Sequence, residues 1–373
     1  MAARKSYPTA DLNVLADTVR AYRAYGSAQA AARSLGINTT TLHRRLTRAA
    51  EHNLFPVDEL TKTAINAAIR DVGRKNKRHD LAFIQGSALP SDVAPIEELL
   101  ERREREYDRK QRADEARKLI PVKVAIPGPV GIVHMGDPHV DDPGTDIRTL
   151  RRHIEVINAT PGMVAANVGD LQNNWVGRLA RLYGEQSTSA AEAWALTEWL
   201  VCSTRWLYLI GGNHDLWSGA GDPLKWIAAH YGTQYEPWGA RINLTFLNGK
   251  QVRVNARHDF AGHSQWNTAH GPAKAAQMGW RDHLLTCGHK HTSGYQLLKD
   301  PASGLVTHAL RIAGYKVHDR YAKELGLPNQ NITPAVVTII DPQYADDDPR
   351  LITVINDVEE GAEFLTWKRK KTP

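Results

Sequence analysis

The sequence predicts an α/β protein in which two packed mixed β-sheets are flanked by helices, preceded by a small all-α domain. From residue 121 onward, short apolar strands alternate with helical segments, which is typical of layered α/β structure. The segments after Ile242 are richer in strands, which indicates a second sheet packed on the first. The first 50 residues carry only helical patterns. A length of 373 residues fits about two domains of ordinary size.

The composition excludes several classes of protein. Hydrophobic residues make up 42% and charged residues 24%, so the chain is neither wholly disordered nor a small disulfide-stapled scaffold. The two cysteines, Cys202 and Cys287, are too few for a disulfide scaffold and favour a reducing compartment. The sequence has no run of 18 apolar residues and no cleavable signal pattern. We therefore expect a cytoplasmic protein without a membrane partner.

Positive charge is concentrated at one end of the chain. The formal net charge is +6, and residues 1–50, with 8 basic and 2 acidic side chains, account for all of it. Residues 51–120 and 121–373 are each balanced. A basic segment of this kind favours contact with a polyanion such as DNA. A soluble basic arm without a partner is the alternative.

The basic segment predicts three short helices. Apolar residues recur at helical spacing from Leu12 to Tyr22, and Gly26 ends that helix. Ser27 is a suitable N-cap for an alanine-rich helix over Ala28–Leu35. Asn38 can cap a third helix in the same way.

The third helix has two different faces. Leu42 and Leu46 form its apolar face. The whole run from Ser27 to Leu46 resembles the Fis-type helix-turn-helix of bacterial and phage DNA-binding proteins. In such a motif the second helix reaches base edges while arginines hold phosphates. The predicted DNA-binding residues are Thr39, Thr40, His43, Arg44, Arg45 and Arg48. A three-helix packing module with a protein partner is the alternative. Helix-turn-helix proteins often dimerise, so a homo-oligomer is compatible with this sequence.

Residues 51–120 are interpreted as a charged helical connector. A basic loop at Gly73–Arg78 and a stretch rich in Pro and Ser at Ser87–Pro95 precede a charged helix over Ile96–Ile120. Its apolar residues are too sparse for a coiled coil, so we expect a solvated spacer or a strut. The predicted domains are therefore a helix-turn-helix at 1–50, this connector at 51–120, and a catalytic domain with a C-terminal extension at 121–373.

The catalytic domain begins with strands and helices in alternation. Apolar runs predict strands at Val130–Met135, Gly162–Val168 and Trp206–Ile210, with helices between them at Asp146–Ala159 and Ser189–Ser203. Further strands are predicted within Ile242–Ala256, Leu284–Leu298 and Val336–Ile340.

Residues able to bind metal follow the predicted strands directly. In chain order these segments read Gly136-Asp-Pro-His139, Gly169-Asp170-Leu-Gln-Asn173, Gly212-Asn-His-Asp215, Arg257-His258-Asp259 and Gly288-His-Lys-His291. Mixed oxygen and imidazole ligands suit Mn, Fe, Zn, Co or Ni, whereas calcium prefers oxygen alone. If Asp-x-His and His-x-His continue the extended strands, alternate side chains turn to one side and reach one cavity.

This ordered series resembles the calcineurin-like metallophosphoesterase family, and Gly212–Asp215 matches the family pattern without a change. The resemblance implies a four-layer metallophosphoesterase sandwich and two divalent ions, of which Mn is the first expectation. It implies that Asp137, His139 and His291 bind one ion, that Asp170 bridges both, and that Asn213, His258 and His289 complete the second ligand set. It also implies that a hydroxide bridging the two ions attacks phosphorus in line, and that His214 is the catalytic residue beside the substrate. Asp215 is expected to orient backbone in its turn.

One departure from the family narrows the expected activity. Protein phosphatases of this family carry Asp and then Arg at the places where this chain has Asn173 and Asn174. An amide cannot stabilise a charged imidazole as a carboxylate does, so protein phosphatase activity is not expected. The two asparagines remain candidate substrate-binding residues.

Three functions are compatible with this sequence. The first is a metal-dependent phosphodiesterase, most simply a DNA nuclease, that its N-terminal domain brings to DNA. The second is a phosphatase or phosphodiesterase for small molecules or nucleotides with a regulatory N-terminal domain. The third is a DNA-binding regulator whose metal domain is inactive, which the complete ligand set disfavours. Lys274, Arg281, Lys290 and the basic run Trp367–Lys371 are residues from which a local DNA-binding patch could be built.

Overall fold

The chain folds into two compact units, Met1–Ala94 and Pro95–Pro373. The computed structural model describes residues 9–54, 56, 92–216, 222–318, 323–324, 326 and 329–371. The predicted basic loop at 73–78 lies outside the described residues. The charged helix that follows belongs to the second unit, and the three-part domain division stays a prediction.

The first unit contains helices α1 (Thr9–Tyr25), α2 (Ala28–Ser34) and α3 (Thr39–Glu51). Both predicted N-caps are confirmed. The Ser27 hydroxyl accepts a hydrogen bond from the N–H of Ala30 at 3.2 Å, and Asn38 Oδ1 accepts from the N–H of Thr41 at 2.7 Å. The three helices bury one small core, formed by Leu15, Val19, Tyr22, Ala31, Ala32, Leu42, Leu46 and Ala49.

The second unit begins with helix α4 (Ile96–Arg117), which buries none of its side chains. It is therefore a charged, solvent-exposed helix, as its composition predicts. Its last residue, Arg117, donates from Nε to the carboxylate of Glu236 at 3.1 Å and so attaches the helix end to the body of the unit.

Two six-stranded mixed sheets form the centre of the second unit. The strands of the first sheet, in spatial order, are β1 (Ile120–Lys123), β6 (Gly239–Thr245), β7 (Gln251–Arg257), β8 (Leu284–Cys287), β10 (Val306–Arg311) and β9 (Gly294–Lys299). Those of the second sheet are β12 (Ile352–Ile355), β11 (Ala335–Ile340), β2 (Val130–Met135), β3 (Met163–Asn167), β4 (Trp206–Gly211) and β5 (Tyr235–Pro237).

Because several strands run parallel, the segments that carry the candidate Asp, Asn and His ligands leave each sheet at one edge. Strands β2, β3, β4 and β5 run parallel, with Val133 opposite Ala165 in the β2–β3 register. Strands β7, β8 and β10 also run parallel. Residues that follow parallel neighbours leave the sheet at the same edge, which is where α/β proteins build their sites.

Helices cover both outer faces, so the unit has four layers. The outer face of the second sheet packs on α5 (Ile147–Ala159), α6 (Ala190–Cys202), α8 (Pro223–His230) and α10 (Val358–Lys371), through side chains such as Leu150, Leu200, Leu224 and Leu365. The outer face of the first sheet packs on α9 (His270–Met278). A second core lies between the sheets, where Ile132 and Ile210 meet Val254 and Leu310. The predicted fold class is confirmed.

Short helical segments complete the unit. Helix α7 (Asn213–Leu216) follows β4 directly, and 3₁₀ helices span Gly177–Glu185 and Pro349–Leu351. Within the part of the chain that the structure describes, none of the helices has the length and apolarity needed to cross a membrane.

Candidate metal centre

The five predicted segments meet in space, although they come from two sheets. Asp137 and His139 follow β2, Asp170 follows β3, and Asn213 and His214 lie in α7 after β4. His258 follows β7, and His289 and His291 follow β8, so the first sheet completes the cluster.

One group of donors consists of Asp137, His139 and His291. Asp137 Oδ2 lies 3.2 Å from His291 Nε2, and His139 Nε2 also lies 3.2 Å from that nitrogen. Asp137 and His139 are almost fully buried, so these atoms face a common point that is shielded from solvent. This is the set implied for the first ion.

A second group consists of Asp170, His258 and His289. His258 Nε2 is its centre, at 3.2 Å from Asp170 Oδ2 and 3.0 Å from His289 Nδ1. Asn213 Oδ1 lies 2.8 Å from the same nitrogen. The other three residues implied for the second ion thus converge on this nitrogen of His258.

Asp170 also belongs to a third group of converging donors, with His139 and His214. It therefore lies within reach of a member of each implied ligand set. Its Oδ2 lies 3.2 Å from His258 Nε2 and 4.0 Å from His214 Nε2, whereas its Oδ1 accepts a hydrogen bond from the N–H of His214 at 2.9 Å.

The donor set fits a divalent transition metal. Asp137 Oδ1 and His139 Nδ1 are buried without a hydrogen-bond partner, and several imidazole nitrogens face one another rather than a donor. Such an arrangement of lone pairs is unfavourable unless a cation or protons lie between them. His258 Nδ1 lies 2.9 Å from the carbonyl oxygen of Val168, which holds the proton there and leaves Nε2 free for a ligand bond. The cluster can therefore hold metal.

Burial and neighbouring charge set the protonation of the cluster. Burial, and then the nearby His214 and His291, hold the pKa of His139 well below its ordinary value, which favours the neutral imidazole that binds metals. Burial opposes charge on His258, but the Asp170 carboxylate outweighs it and raises the pKa of His258 to about 10. Binding of a metal at His258 would therefore displace a proton.

Left-handed backbone, rather than extended strand, brings the ligands together. The φ angles of His139, Asp170, His289 and His291 are +41°, +53°, +68° and +49°. Non-glycine residues rarely adopt this region, and they do so most often at functional sites. The expectation that Asp-x-His and His-x-His continue the extended strands is wrong. Their side chains do converge, but both segments lie beyond the ends of β2 and β8, and residues with left-handed backbone turn them toward the cluster. A Cβ at Gly288 would collide with Asp137, so glycine is required there.

Asp215 holds the backbone around the cluster, as predicted. It is 1% exposed, and its carboxylate accepts hydrogen bonds from the N–H groups of Gly212 and Asp170, both at 2.8 Å, and of Leu171 at 3.0 Å. These bonds tie the segment after β3 to the segment after β4. Asp215 therefore fixes Asp170 against His214 without reaching the substrate side.

His214 is oriented by main chain in place of a carboxylate. Its Nδ1 contacts the carbonyl oxygen of Asn173, and its Nε2 lies 4.0 Å from Asp170 Oδ2. The ring of Trp175 meets it edge-on, with centroids 5.2 Å apart. A backbone carbonyl thus fixes the Nδ1–H tautomer of His214 and directs Nε2 toward the cluster.

The structure gives the two predicted substrate-binding asparagines internal partners. Asn173 is fully buried, and its amide nitrogen donates to Asp142 at 2.9 Å and to Gln186 at 3.1 Å. The amide nitrogen of Asn174 donates to the carbonyl oxygen of His214 at 2.7 Å. The Asn174 contact holds the main chain at His214, and a direct contact of either asparagine with substrate stays a prediction.

Sequence reasoning missed Lys316 and Trp175. Lys316 is only 7% exposed, and its Nζ lies 2.9 Å from Asp142 Oδ2 and 5.2 Å from the centre of the Trp175 ring. It brings a buried cation close to His139, whose pKa it helps to lower. The available signal was a lone lysine soon after the apolar run of β10, but only the tertiary structure places it beside the cluster.

The predicted DNA-binding residues share the solvent-facing side of α3. Thr39, Thr40, His43, Arg44 and Arg48 are exposed and Arg45 is half-buried. Leu42 and Leu46 face the opposite way into the core. The faces are as predicted, and their role in DNA binding stays a prediction.

Comparisons with known proteins found distant structural likeness only. No family model and no curated protein matches the chain. A conserved uncharacterized protein from Streptococcus pneumoniae, described as a predicted phosphoesterase, is similar at 10% identity over 62% of this chain and 100% of its own, with a TM-score of 0.25. Vps29 from Chaetomium thermophilum has 10% identity over 61% and 92%, with a TM-score of 0.30. Vps29 from Entamoeba histolytica, complexed with zinc, has 13% identity over 61% and 97%, with a TM-score of 0.29.

Proposed function

We propose that this protein is a dinuclear metal-dependent phosphodiesterase that cleaves DNA and that its N-terminal helical unit brings it to that substrate. The observation that carries the proposal is the pair of donor groups with Asp170 between them and His214 beside them. Asp137, His139 and His291 would hold one ion, Asn213, His258 and His289 the other, and Asp170 both. Mn is the first choice for these ligands, with Fe, Zn, Co or Ni as alternatives.

The chemistry divides between the ions and the chain. When bound, two such ions activate water and neutralise the charge that develops on a phosphoryl group. His214 Nε2 is directed toward the cluster, where a protonated imidazole can donate to the leaving oxygen. Lys316 is paired with Asp142 and packs on Trp175, so it holds both residues beside the cluster.

Two separate features support DNA as the substrate. The formal positive charge lies in residues 1–50, and α3 presents arginines on its exposed side. In this proposal the protein binds DNA through its first unit, and the phosphodiester backbone of the DNA is cleaved at the metal centre of the second unit. The balanced charge of residues 121–373 is the observation that favours the second candidate, a phosphatase or phosphodiesterase for small molecules or nucleotides.

Cleavage of labelled single-stranded and double-stranded DNA with Mn²⁺ tests the proposal. We expect cleavage by the wild-type protein, and loss of at least about 1000-fold in rate with EDTA or with Asp170→Asn. The matched control is Asp347→Asn, which makes the same chemical change at an exposed carboxylate and should keep wild-type activity. Hydrolysis of small phosphoesters without cleavage of either DNA would reject the nuclease and leave the second candidate.

A further inference from the structure

A groove of about 770 Å³ lies on the outer side of the first sheet, next to the metal centre. Arg257, Phe260, Lys274, Met278 and Trp280 contribute to its lining. Arg257 ends β7, and the following residue is His258 of the metal cluster. We call this feature the Arg257 groove. It lies outside the ligand set and has no role in the chemistry described above.

Among the residues that the structure describes, the guanidinium of Arg257 has aromatic neighbours but no acidic partner. Its Cζ lies 5.1 Å from the centre of the Trp280 ring and 5.7 Å from that of Phe260. Its Nε is buried without a hydrogen-bond partner, and none of the described carboxylates forms an ion pair with it. A half-buried charge without a counter-ion is unfavourable, so the groove favours an anionic ligand.

A neighbouring arginine shows what a completed site looks like in this fold. Arg241 also stacks on Trp280, at 5.4 Å, but its Nε and one terminal nitrogen each lie 2.8 Å from a carboxylate oxygen of Asp282. Arg257 has the same aromatic support and faces the groove instead.

The carboxylate of Asp259, which also lines the groove, is already paired with other cations. Asp259 lies 2.9 Å from a guanidinium nitrogen of Arg311 and 3.9 Å from Lys290 Nζ. It therefore does not neutralise Arg257. Lys274 on α9 is exposed, and within the described residues it has no ion pair either, so the groove presents two cations to a ligand.

Aromatic surface accompanies the charge. Trp280 is 38% exposed at the groove, and Met278 beside it is 76% exposed. Arginine and lysine with an accessible indole are the combination by which proteins bind single-stranded nucleic acid, with phosphates on the cations and a base on the ring.

We propose that the Arg257 groove binds a single-stranded segment of the nucleic-acid substrate, with phosphate on Arg257 and Lys274 and a base stacked on Trp280. The proposal rests on the proposed function, because it takes the strand that enters the metal centre to continue along the first sheet. The basic terminal run is not part of this surface: Leu365 packs α10 on the second sheet, and Arg369 there donates to the carbonyl oxygens of Pro127 and Pro129.

Binding of a fluorescein-labelled oligothymidylate to the full-length chain tests the groove. Fluorescence anisotropy is measured in EDTA, which prevents cleavage, over a range of KCl concentrations. A single strand is used because base reading by a helix of the kind predicted for α3 requires a duplex groove. Arg257→Met and Lys274→Met each remove a charge while keeping an unbranched apolar stem. We expect each to lower affinity about tenfold and to reduce the slope of log K against log salt by about 0.7.

Two further variants separate stacking from charge. Trp280→Leu should lower affinity about tenfold with an unchanged salt slope, because a stacked base releases no counter-ion. The matched control is Arg151→Met, which removes an exposed arginine on α5 and should behave as the wild type.

Wild-type affinity and salt slope in both Arg257→Met and Lys274→Met would overturn the proposal. Lys274 is exposed, so its variant reports on the groove even if Arg257→Met fails to fold. Hydrolysis of bis(p-nitrophenyl) phosphate by the wild type with Mn²⁺ tests the phosphodiesterase separately. Hydrolysis without any change in binding rejects the groove alone, whereas changed binding without hydrolysis supports the groove and rejects the phosphodiesterase.

Discussion

Replacement of Asp215 by Asn should weaken both the fold and the metal centre. The carboxylate accepts three backbone hydrogen bonds, two at one oxygen and one, from Leu171, at the other. An amide oxygen can keep the two bonds from Gly212 and Asp170, but the NH₂ group then faces the N–H of Leu171. A buried donor left without an acceptor costs about 1–3 kcal/mol. We therefore expect the free energy of unfolding to fall by about 2 kcal/mol.

Metal affinity should fall in the same variant, because Asp170 is one of the residues that Asp215 positions. Loss of a group that orients a ligand commonly reduces metal affinity 10- to 100-fold. Urea unfolding in EDTA gives the first quantity, and Mn²⁺ titration followed by calorimetry gives the second. Asp347→Asn is the control for the same chemical change at the surface. A free energy within about 0.5 kcal/mol of wild type, together with unchanged Mn²⁺ affinity, would refute the role assigned to Asp215.

Three further predictions concern other parts of the second unit. His134 is buried between Tyr208 and Thr338, and burial lowers its pKa to about 3 from 6.5 in the unfolded chain. Between pH 6.5 and pH 3 only the unfolded chain takes up this proton, so the free energy of unfolding falls with pH by up to about 1.4 kcal/mol per pH unit. Urea unfolding of His134→Gln should show a smaller fall in the free energy of unfolding over the same pH range. For each proposed ion, Mn²⁺ at about 100 times the Kd of that site should raise the free energy of unfolding by about 2.7 kcal/mol, and a total gain in His291→Ala equal to that of the wild type would contradict the ligand assignment. Lys316→Met should lower the steady-state kcat about tenfold, because it leaves the Asp142 carboxylate near the cluster without its counter-ion, and Lys316→Arg should restore part of the activity.

The local structure was largely predictable from the sequence, because its signals are local. Strand β2 has the predicted bounds, and the helices over Ile147–Ala159 and Ala190–Cys202 begin and end within one residue of the predicted ones. Apolar periodicity and N-cap residues depend on only a few neighbouring positions, so they can be recognised in the sequence without knowledge of the fold. The segment Ile242–Ala256 was predicted only as strand-rich. The structure divides it into a hairpin whose turn contains Asn248 and Gly249, a dipeptide typical of such turns.

The site was predictable in its members but not in its geometry. Residues able to bind metal at successive strand ends predicted a cluster, since parallel strands bring those ends together, and the family resemblance supplied the expected role of each residue. The left-handed turns at His139 and His289 depend on the whole surrounding structure, which holds an otherwise unfavourable backbone in place. Contacts such as Lys316 with Trp175, or His214 with the carbonyl of Asn173, join positions whose neighbourhood no periodicity encodes.

The origin of the ligands in both sheets has a consequence for the order of folding. The segment with Asp137 and the segment with His291 are separated by about 150 residues, and loops of that length close late in folding. A metal ion can therefore bind tightly only after the two sheets have docked. Contacts that form after the transition state slow unfolding and leave the folding rate nearly unchanged. Bound metal should thus lower the unfolding rate and prolong the lifetime of the native state without increasing the folding rate.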